Sequence, residues 1–202
     1  MGEKYWYQKQ LRMLQTVLRE SDMVGYDAKQ VVEYLERTNS NSIIINAGGI
    51  IDFFPIEEPL GRKNIFMDKA NEQDYRIAKS FAKMLENAEF RDILKELVEE
   101  CHAHDIAVMV RVDFRGVEAE RYEERPDWFA QDKNGKAKAG WGGRIHKPCY
   151  NGIYANDHAI QYIKNMMSRY PVDGIWENSV GFGDGPCYCK VCRDKYREDT
   201  GK

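Results

Sequence analysis

Apolar and polar positions along the chain switch between two periods. Ser42-Ile43-Ile44-Ile45-Asn46-Ala47 is a short continuous apolar run closed by Gly48-Gly49, the pattern of a strand buried on both faces. Ile106 to Phe114 predicts a second such strand, and Val172 to Asn178 a third that ends in a carboxylate and an amide, Glu177 and Asn178. Met13 to Leu18 reads either as a first strand or as the extension of a helix from Trp6. Between these runs the period lengthens to that of a helix. Val31, Val32 and Leu35 follow Asp27, a good N-cap residue. Phe90, Ile93, Leu94, Leu97, Val98 and Cys101 recur between Asn87 and His104, the clearest helix of the chain. A further helix from about Ala155 to Tyr170 carries Ile160, Ile163 and Met167, and Cys189 to Asp199 predicts a last one.

Strands alternating with helices predict an α/β fold with a parallel sheet, helices over it and right-handed connections. Two architectures fit: a small doubly wound sheet, or the first half of an eight-fold barrel, which takes about 250 residues when complete. The chain reaches only a fourth helix, so the expectation is one domain over residues 1–202, the N-terminal half of a (β/α)8 TIM-barrel-like fold with four β-α units. Half a barrel would leave the edges of its first and fourth strands open and prone to aggregation. Two stretches are too long to be mere connections, Gly48 to about Asn71 and Phe114 to about Ala155. The second reads as a loop without regular elements. Both follow the carboxyl ends of strands, the face on which barrel enzymes carry their sites.

Composition narrows the classes. Charged residues at 31% and hydrophobic ones at 43% describe a globular chain with a core. A net charge of −3 offers no general attraction to nucleic acid or to an anionic membrane. No apolar run approaches the roughly 18 residues of a membrane span. Met1 to Trp6 lacks a basic stretch followed by an apolar one, and five cysteines without an export signal favour reduced thiols over disulfides. The expected location is the cytoplasm.

The chemistry concentrates in three groups. Cys187, Cys189 and Cys192 form a Cys-x-Cys-x-x-Cys run, and Cys149 stands upstream. Four thiolates in two separated groups are the ligand set of a tetrahedral structural zinc. A redox pair would use only Cys189 and Cys192, while Cys101 lies on the apolar helix face and reads as core. Second, Glu177 and Asn178 close a strand, where a carboxylate must be solvated, paired or used. Third, Arg111, Asp113 and Arg115 alternate with Val110, Val112 and Phe114. They form either a structural network or a site for hydroxyl-rich or anionic ligands. Trp128 in the long loop either stacks on a sugar face or anchors the loop. His146 and His158 stand alone.

Residues 144–201 resemble glycoside hydrolase family 42 β-galactosidases. The likeness lies in Cys149-Tyr150-Asn151-Gly152, Arg169-Tyr170, the strand ending in Glu177, and the cysteine run that follows. The whole chain resembles the hypothetical glycosyl hydrolase family 6 more closely, through Asn46-Ala47-Gly48-Gly49, Arg111-Val112-Asp113-Phe114-Arg115-Gly116 and Pro126-Asp127-Trp128-Phe129. The family 42 resemblance implies a retaining glycosidase: Glu177 as acid/base, a nucleophile beyond Lys202, and zinc on the four cysteines. Here Glu precedes Asn, the reverse of the family order. Arg111, Asp113, Trp128 and Asn178 would line a carbohydrate site. Val172-Asp173-Gly174-Ile175-Trp176 is also similar to α-L-fucosidases, a register that puts Asn178 on the nucleophile position. The rivals are a zinc-stabilised, inactive carbohydrate-binding scaffold and, through Lys190, Arg193, Lys195 and Arg197, a zinc-ribbon nucleic-acid binder; the acidic balance opposes the latter. A homo-oligomer is compatible with all of these.

Overall fold

The computed structural model describes residues 5–56, 60–61, 91–178 and 185–201. In chain order its main elements are β1 (Met13–Gln15), α1 (Ala28–Arg37), β2 (Ser42–Gly48), α2 (Ile93–Ala103) and β3 (Ala107–Val112). These are followed by three two-residue strands, β4 (Val117–Glu118), β5 (Ala139–Gly140) and β6 (Ile145–His146), then α3 (Ala159–Arg169), β7 (Gly174–Glu177) and α4 (Lys190–Thr200). The chain forms two compact units: Met1–Val112 with Met167–Trp176, and Asp113–Met166 with Glu177–Lys202.

The first unit is built on a four-stranded sheet in the order β1-β2-β3-β7, with β1 on β2 and β2 on β3 paired in parallel. The expected α/β fold with a parallel sheet is what forms. β2 is buried along its length except at Asn46, which is half-buried. Asn46 Oδ1 accepts the Leu18 N–H at 3.1 Å, so the one polar residue of the strand extends the tie to the chain after β1. This settles the choice at Met13 in favour of a strand. α1 starts where expected: Asp27 Oδ1 accepts the N–H groups of Lys29 and Gln30 at 2.9 and 3.2 Å, satisfying donors that the first turn leaves open. α2 is capped likewise by Asp92, whose Oδ1 accepts from Lys95 N at 3.1 Å. Its buried face is Ile93, Leu94, Leu97, Val98 and Cys101, as the periodicity predicts; Asn87 to Phe90 lie outside the described residues, as do parts of the stretch after Gly48. The core also takes Val32 and Leu35 from α1 and Val108, Val110 and Val112 from β3.

β7 is less buried than an apolar central strand. Trp176 is exposed and its neighbours are half-buried, which fits the outer place of β7 in the sheet order. α3 buries Ala159, Tyr162 and Met166, while Ile160 and Met167 are exposed. The inward stripe is thus turned from the one that Ile160, Ile163 and Met167 suggested. Apolar residues lie around most of this helix, and its neighbours choose the face.

The second unit departs most from the sequence reading. The long segment after Phe114 is not without elements: β4, β6 and β5 form an antiparallel sheet, with Val117 opposite His146 and Ala139 opposite the same residue. Bridges from Phe129 to Pro148 and from Gln131 to Ala137 extend this framework. A five-residue π-helical turn, Tyr154–His158, precedes α3. Among the described residues, no helix is long and apolar enough to cross a membrane.

Candidate functional site

Both candidate constellations lie in the second unit. The first is the cysteine quartet. The Trp128 carbonyl accepts the Cys149 N–H at 2.8 Å, and the Cys149 carbonyl accepts the Gly152 N–H at 3.0 Å, so Cys149 is fixed by backbone on both sides. Gly152 packs closely there: a Cβ would meet the Cys149 carbonyl oxygen at 3.2 Å, a tight contact. Cys187 is positioned by the pairing of Tyr188 N–H with the Gln131 carbonyl at 2.8 Å. Cys189 is the N-cap of α4, and Cys192 lies in its first turn.

These placements bring the four Sγ atoms within 4.8 Å of one another, with Cys149–Cys192 and Cys149–Cys189 both at 3.5 Å. A zinc ion at about 2.3 Å from each sulfur needs S···S edges of about 3.8 Å. The set therefore fits a tetrahedral metal ion. Donors suited to thiolates surround it: Gln131 N and Cys189 N approach Cys187 Sγ at 3.4 and 3.5 Å, and Asn151 Nδ2 approaches Cys192 Sγ at 3.4 Å. Burial pulls the Cys187 thiol upward, but the Cys189 and Gln131 N–H groups, together with hydrogen bonds from the Cys189 and Cys192 side chains, outweigh it and hold its pKa below the ordinary value. Burial dominates at Cys149 and Cys189 and raises both, more strongly at Cys149, where the neighbouring cysteines add to it. Two thiols that resist ionisation alone, packed with Ala130 in one small cluster, are what a cation would deprotonate on binding. Cys101 is separate, buried in the first unit with its thiol pushed up to about 12, as its core assignment requires.

The second constellation joins the residues that follow β3 to those that end β7. Asn178 Nδ2 donates to Asp113 Oδ2 at 2.9 Å. Arg115 holds the other carboxylate oxygen, its N–H on Asp113 Oδ1 at 3.4 Å and its Nε in charge contact at 3.1 Å. Glu177 Oε1 accepts the Phe114 N–H at 3.3 Å, and its Oε2 is buried. Two carboxylates, an amide and a guanidinium thus share one strand-end cluster, and Phe114, between Asp113 and Arg115, turns inward onto Tyr162 and Tyr154. Sequence placed all four polar residues at strand ends; it gave no sign that Asn178 reaches Asp113, because the partners come from different strands. Arg111 belongs to the first unit, half-buried on β3 opposite Asn46.

Trp128 is 3% exposed. Its ring lies 5.1 Å from Tyr154 and 4.4 Å from His158, under the Arg125 guanidinium at 4.5 Å, and Arg125 is itself forked onto the Asp127 carboxylate. This is the geometry of an anchor for the long segment. His158, which had no role by sequence, is a member of the stack; burial first, then the charges of Arg121 and Arg125, push its pKa down to about 4.

The fold has solved counterparts. An α-L-fucosidase isoenzyme 2 from Paenibacillus thiaminolyticus aligns over 95% of this chain at 21% identity and a TM-score of 0.64. A maltogenic α-amylase from Thermotoga neapolitana covers the same share at 15% identity and a TM-score of 0.54. A hypothetical protein from Ruminiclostridium thermocellum does so at 12% and 0.52. The chain spans 26% of the fucosidase, 43% of the amylase and 92% of the hypothetical protein. The first two likenesses give the architecture: this sheet and its helices correspond to part of a TIM-barrel glycoside hydrolase. No curated protein sequence matches the chain. The family model described as hypothetical glycosyl hydrolase 6 matches residues 27–179, from the cap of α1 to just past the strand-end cluster, and the chain belongs to that family.

Proposed function

We propose that the protein is a glycosidase, or the part of one that carries its acid/base, acting on a carbohydrate through Glu177, with a zinc ion on Cys149, Cys187, Cys189 and Cys192 holding the second unit in shape. The observation that carries this reading is the strand-end cluster within a glycosyl hydrolase family: Glu177, the last residue of β7, on the Phe114 N–H beside a clamped Asp113. In the retaining scheme of the β-galactosidase resemblance, Glu177 protonates the glycosidic oxygen and then takes the proton of the attacking water. Asp113, with donors on both oxygens, is held in place to accept a sugar hydroxyl. Asn178 lines the same site in this reading. Trp128, buried as it is, acts by holding the segment that follows β3 and offers no stacking face.

The zinc is structural. Four thiolates close its coordination shell and leave no position for substrate, so it supplies cross-linking. The second reading is an α-L-fucosidase-like hydrolase, supported by the fold likeness to the Paenibacillus enzyme.

Glu177→Gln tests the assignment. It keeps shape and removes the transferable proton, so turnover on unactivated glycosides should fall roughly 10²–10⁴-fold, with activity recovered on aryl glycosides whose leaving group needs no protonation. Assays on β-galactosides and α-L-fucosides in parallel separate the two hydrolase readings. Wild-type turnover in the Gln variant would make Glu177 structural. Binding of sugars with no turnover on any of them would favour the inactive scaffold.

A further inference from the structure

Glu177 and Phe114 meet where the strands have ended. β3 stops at Val112, short of Phe114, and Glu177 is the last residue of β7. The Phe114 N–H nevertheless donates to Glu177 Oε1 at 3.3 Å. A backbone donor beyond the end of its strand keeps a fixed direction only if something other than the ladder holds its residue.

The side chain of Phe114 supplies that hold. Its ring is buried, while the residues on either side, Asp113 and Arg115, meet each other in the polar cluster. Tyr162 from α3 meets the ring edge-on, with centroids 5.5 Å apart and planes at 86°, and Tyr154 does so at 6.2 Å and 74°. Aromatic pairs favour this edge-to-face arrangement, which makes the contact directional. Both tyrosines are 1% exposed and are fixed in turn. Tyr162 belongs to the buried stripe of α3 with Ala159 and Met166. Tyr154 packs on Trp128 and opens the π-helical turn, which Asn156 Nδ2 ties to the Gly152 and Tyr150 carbonyls at 2.9 and 3.1 Å.

We propose that Tyr162 and Tyr154 are positioning residues for the Glu177 carboxyl group. They fix the Phe114 ring, the ring fixes the direction of its own N–H, and that N–H holds Glu177 Oε1. At 1% exposure neither tyrosine reaches a substrate, so the effect of each passes through Phe114. A general acid must lie within hydrogen-bond reach of the oxygen it protonates, and a displacement of about 1 Å can cost roughly 10²-fold in rate. The consequence for turnover rests on the acid/base reading of Glu177 above; the hold on the carboxyl group does not.

The test uses the whole 202-residue chain and reads the Phe114 amide by NMR. An amide proton bonded to a carboxylate shifts as that carboxylate titrates. The Phe114 proton should follow an acid titration in the wild type and lose the Glu177 step in Glu177→Gln. In Tyr162→Leu, which keeps an apolar side chain and removes the ring, the amplitude of that step should fall by roughly half or more, and Tyr162→Phe should restore it, because the contact is made by the ring. The Ala119 amide, on the Arg144 carbonyl at 3.2 Å in the same unit, should stay protected from exchange throughout. Wild-type amplitude in Tyr162→Leu, or an equal loss in Tyr162→Phe, overturns the proposal. If Tyr162→Leu loses the Ala119 protection, Tyr154→Leu repeats the test from the other side of the ring. A wild-type Phe114 proton that does not sense Glu177 overturns the proposal with no tyrosine variant at all. Turnover is compared on methyl and dinitrophenyl β-galactosides and α-L-fucosides. In Tyr162→Leu, kcat on the methyl glycosides should fall roughly ten- to hundredfold with KM within about twofold, and the dinitrophenyl glycosides should hold their rate. A lost amide signature with an unchanged methyl-to-dinitrophenyl ratio would refute the acid/base reading and leave the positioning role standing. Where no glycoside is turned over, the amide signature decides alone.

Discussion

The two units of this chain are held by different physics. In the first, most of the buried set is aliphatic, with Ile43 and Ile45 from β2, Val108 and Val110 from β3, and Leu94, Leu97 and Val98 from α2, beside a few aromatic side chains such as Phe54 and Tyr170. Each such side chain gains about 1.5–3 kcal/mol on leaving water, and the long ladders of β2 and β3 satisfy the backbone between them. In the second unit the strands are two residues long and α4 buries no residue of its own. Strands that short are marginal without further support. What replaces the aliphatic core is an aromatic stack around Trp128 and a cluster whose members are mostly cysteine sulfurs. A metal on the four cysteines, as proposed above, would supply stability from very few positions.

The largest expected effect is that of removing the metal proposed for the four cysteines. Chelation, or Cys149→Ser, should strip hydrogen-exchange protection from the Ala130, Lys138 and Lys147 amides, which pair only within the second unit's framework, while Ile45 and Val110 keep theirs. Structural zinc in small domains contributes on the order of 10 kcal/mol, more than the second unit's short strands can replace. Retained protection at Ala130 and Lys147 after metal removal would break the contrast. The converse probe is Leu94→Ala, fully buried in α2. It should cost about 2–5 kcal/mol, read from the denaturant midpoint, and leave metal stoichiometry unchanged in the folded protein. A cost well below 1 kcal/mol would show that the aliphatic core is not what holds the first unit.

A smaller effect sharpens the picture of the aromatic stack. His158 has its pKa pushed from 6.5 down to about 4 by burial and by two arginines. The unfolded chain therefore binds a proton that the folded one refuses between these values, and folding stability should fall as pH drops from about 6.5 to 4. Acid also attacks thiolate–metal bonds, so the measurement is the difference in pH slope between wild type and His158→Asn. Equal slopes would remove His158 from the account.

How far the sequence could be read follows the range of each interaction. β2 was legible because an unbroken apolar run has one economical fate, α1 because its cap Asp27 and its stripe are local, and α2 because the row from Ile93 to Cys101 needs no partner to be recognised; its cap, Asp92, was not read. The cysteine quartet was legible through ligand type and spacing. The small sheet was not, since Val117, Ala139 and His146 carry no period that marks two-residue strands paired across long intervals. Nor was the inner face of α3, where isoleucines and a methionine compete with Ala159, Tyr162 and Met166 for the same role.

The sequence by itself therefore determined the α/β order, the main helices and the Asp27 cap, the family, and four sulfurs able to converge. Each depends on residue type and near-neighbour spacing, which the chain carries locally. Only the tertiary structure decided that Asn178 holds Asp113, that Phe114 N–H holds Glu177, and that Trp128 is packed among Tyr154 and His158. Those arrangements depend on which side chains meet after the strands are aligned, and that is set by burial and hydrogen bonding between segments distant along the chain.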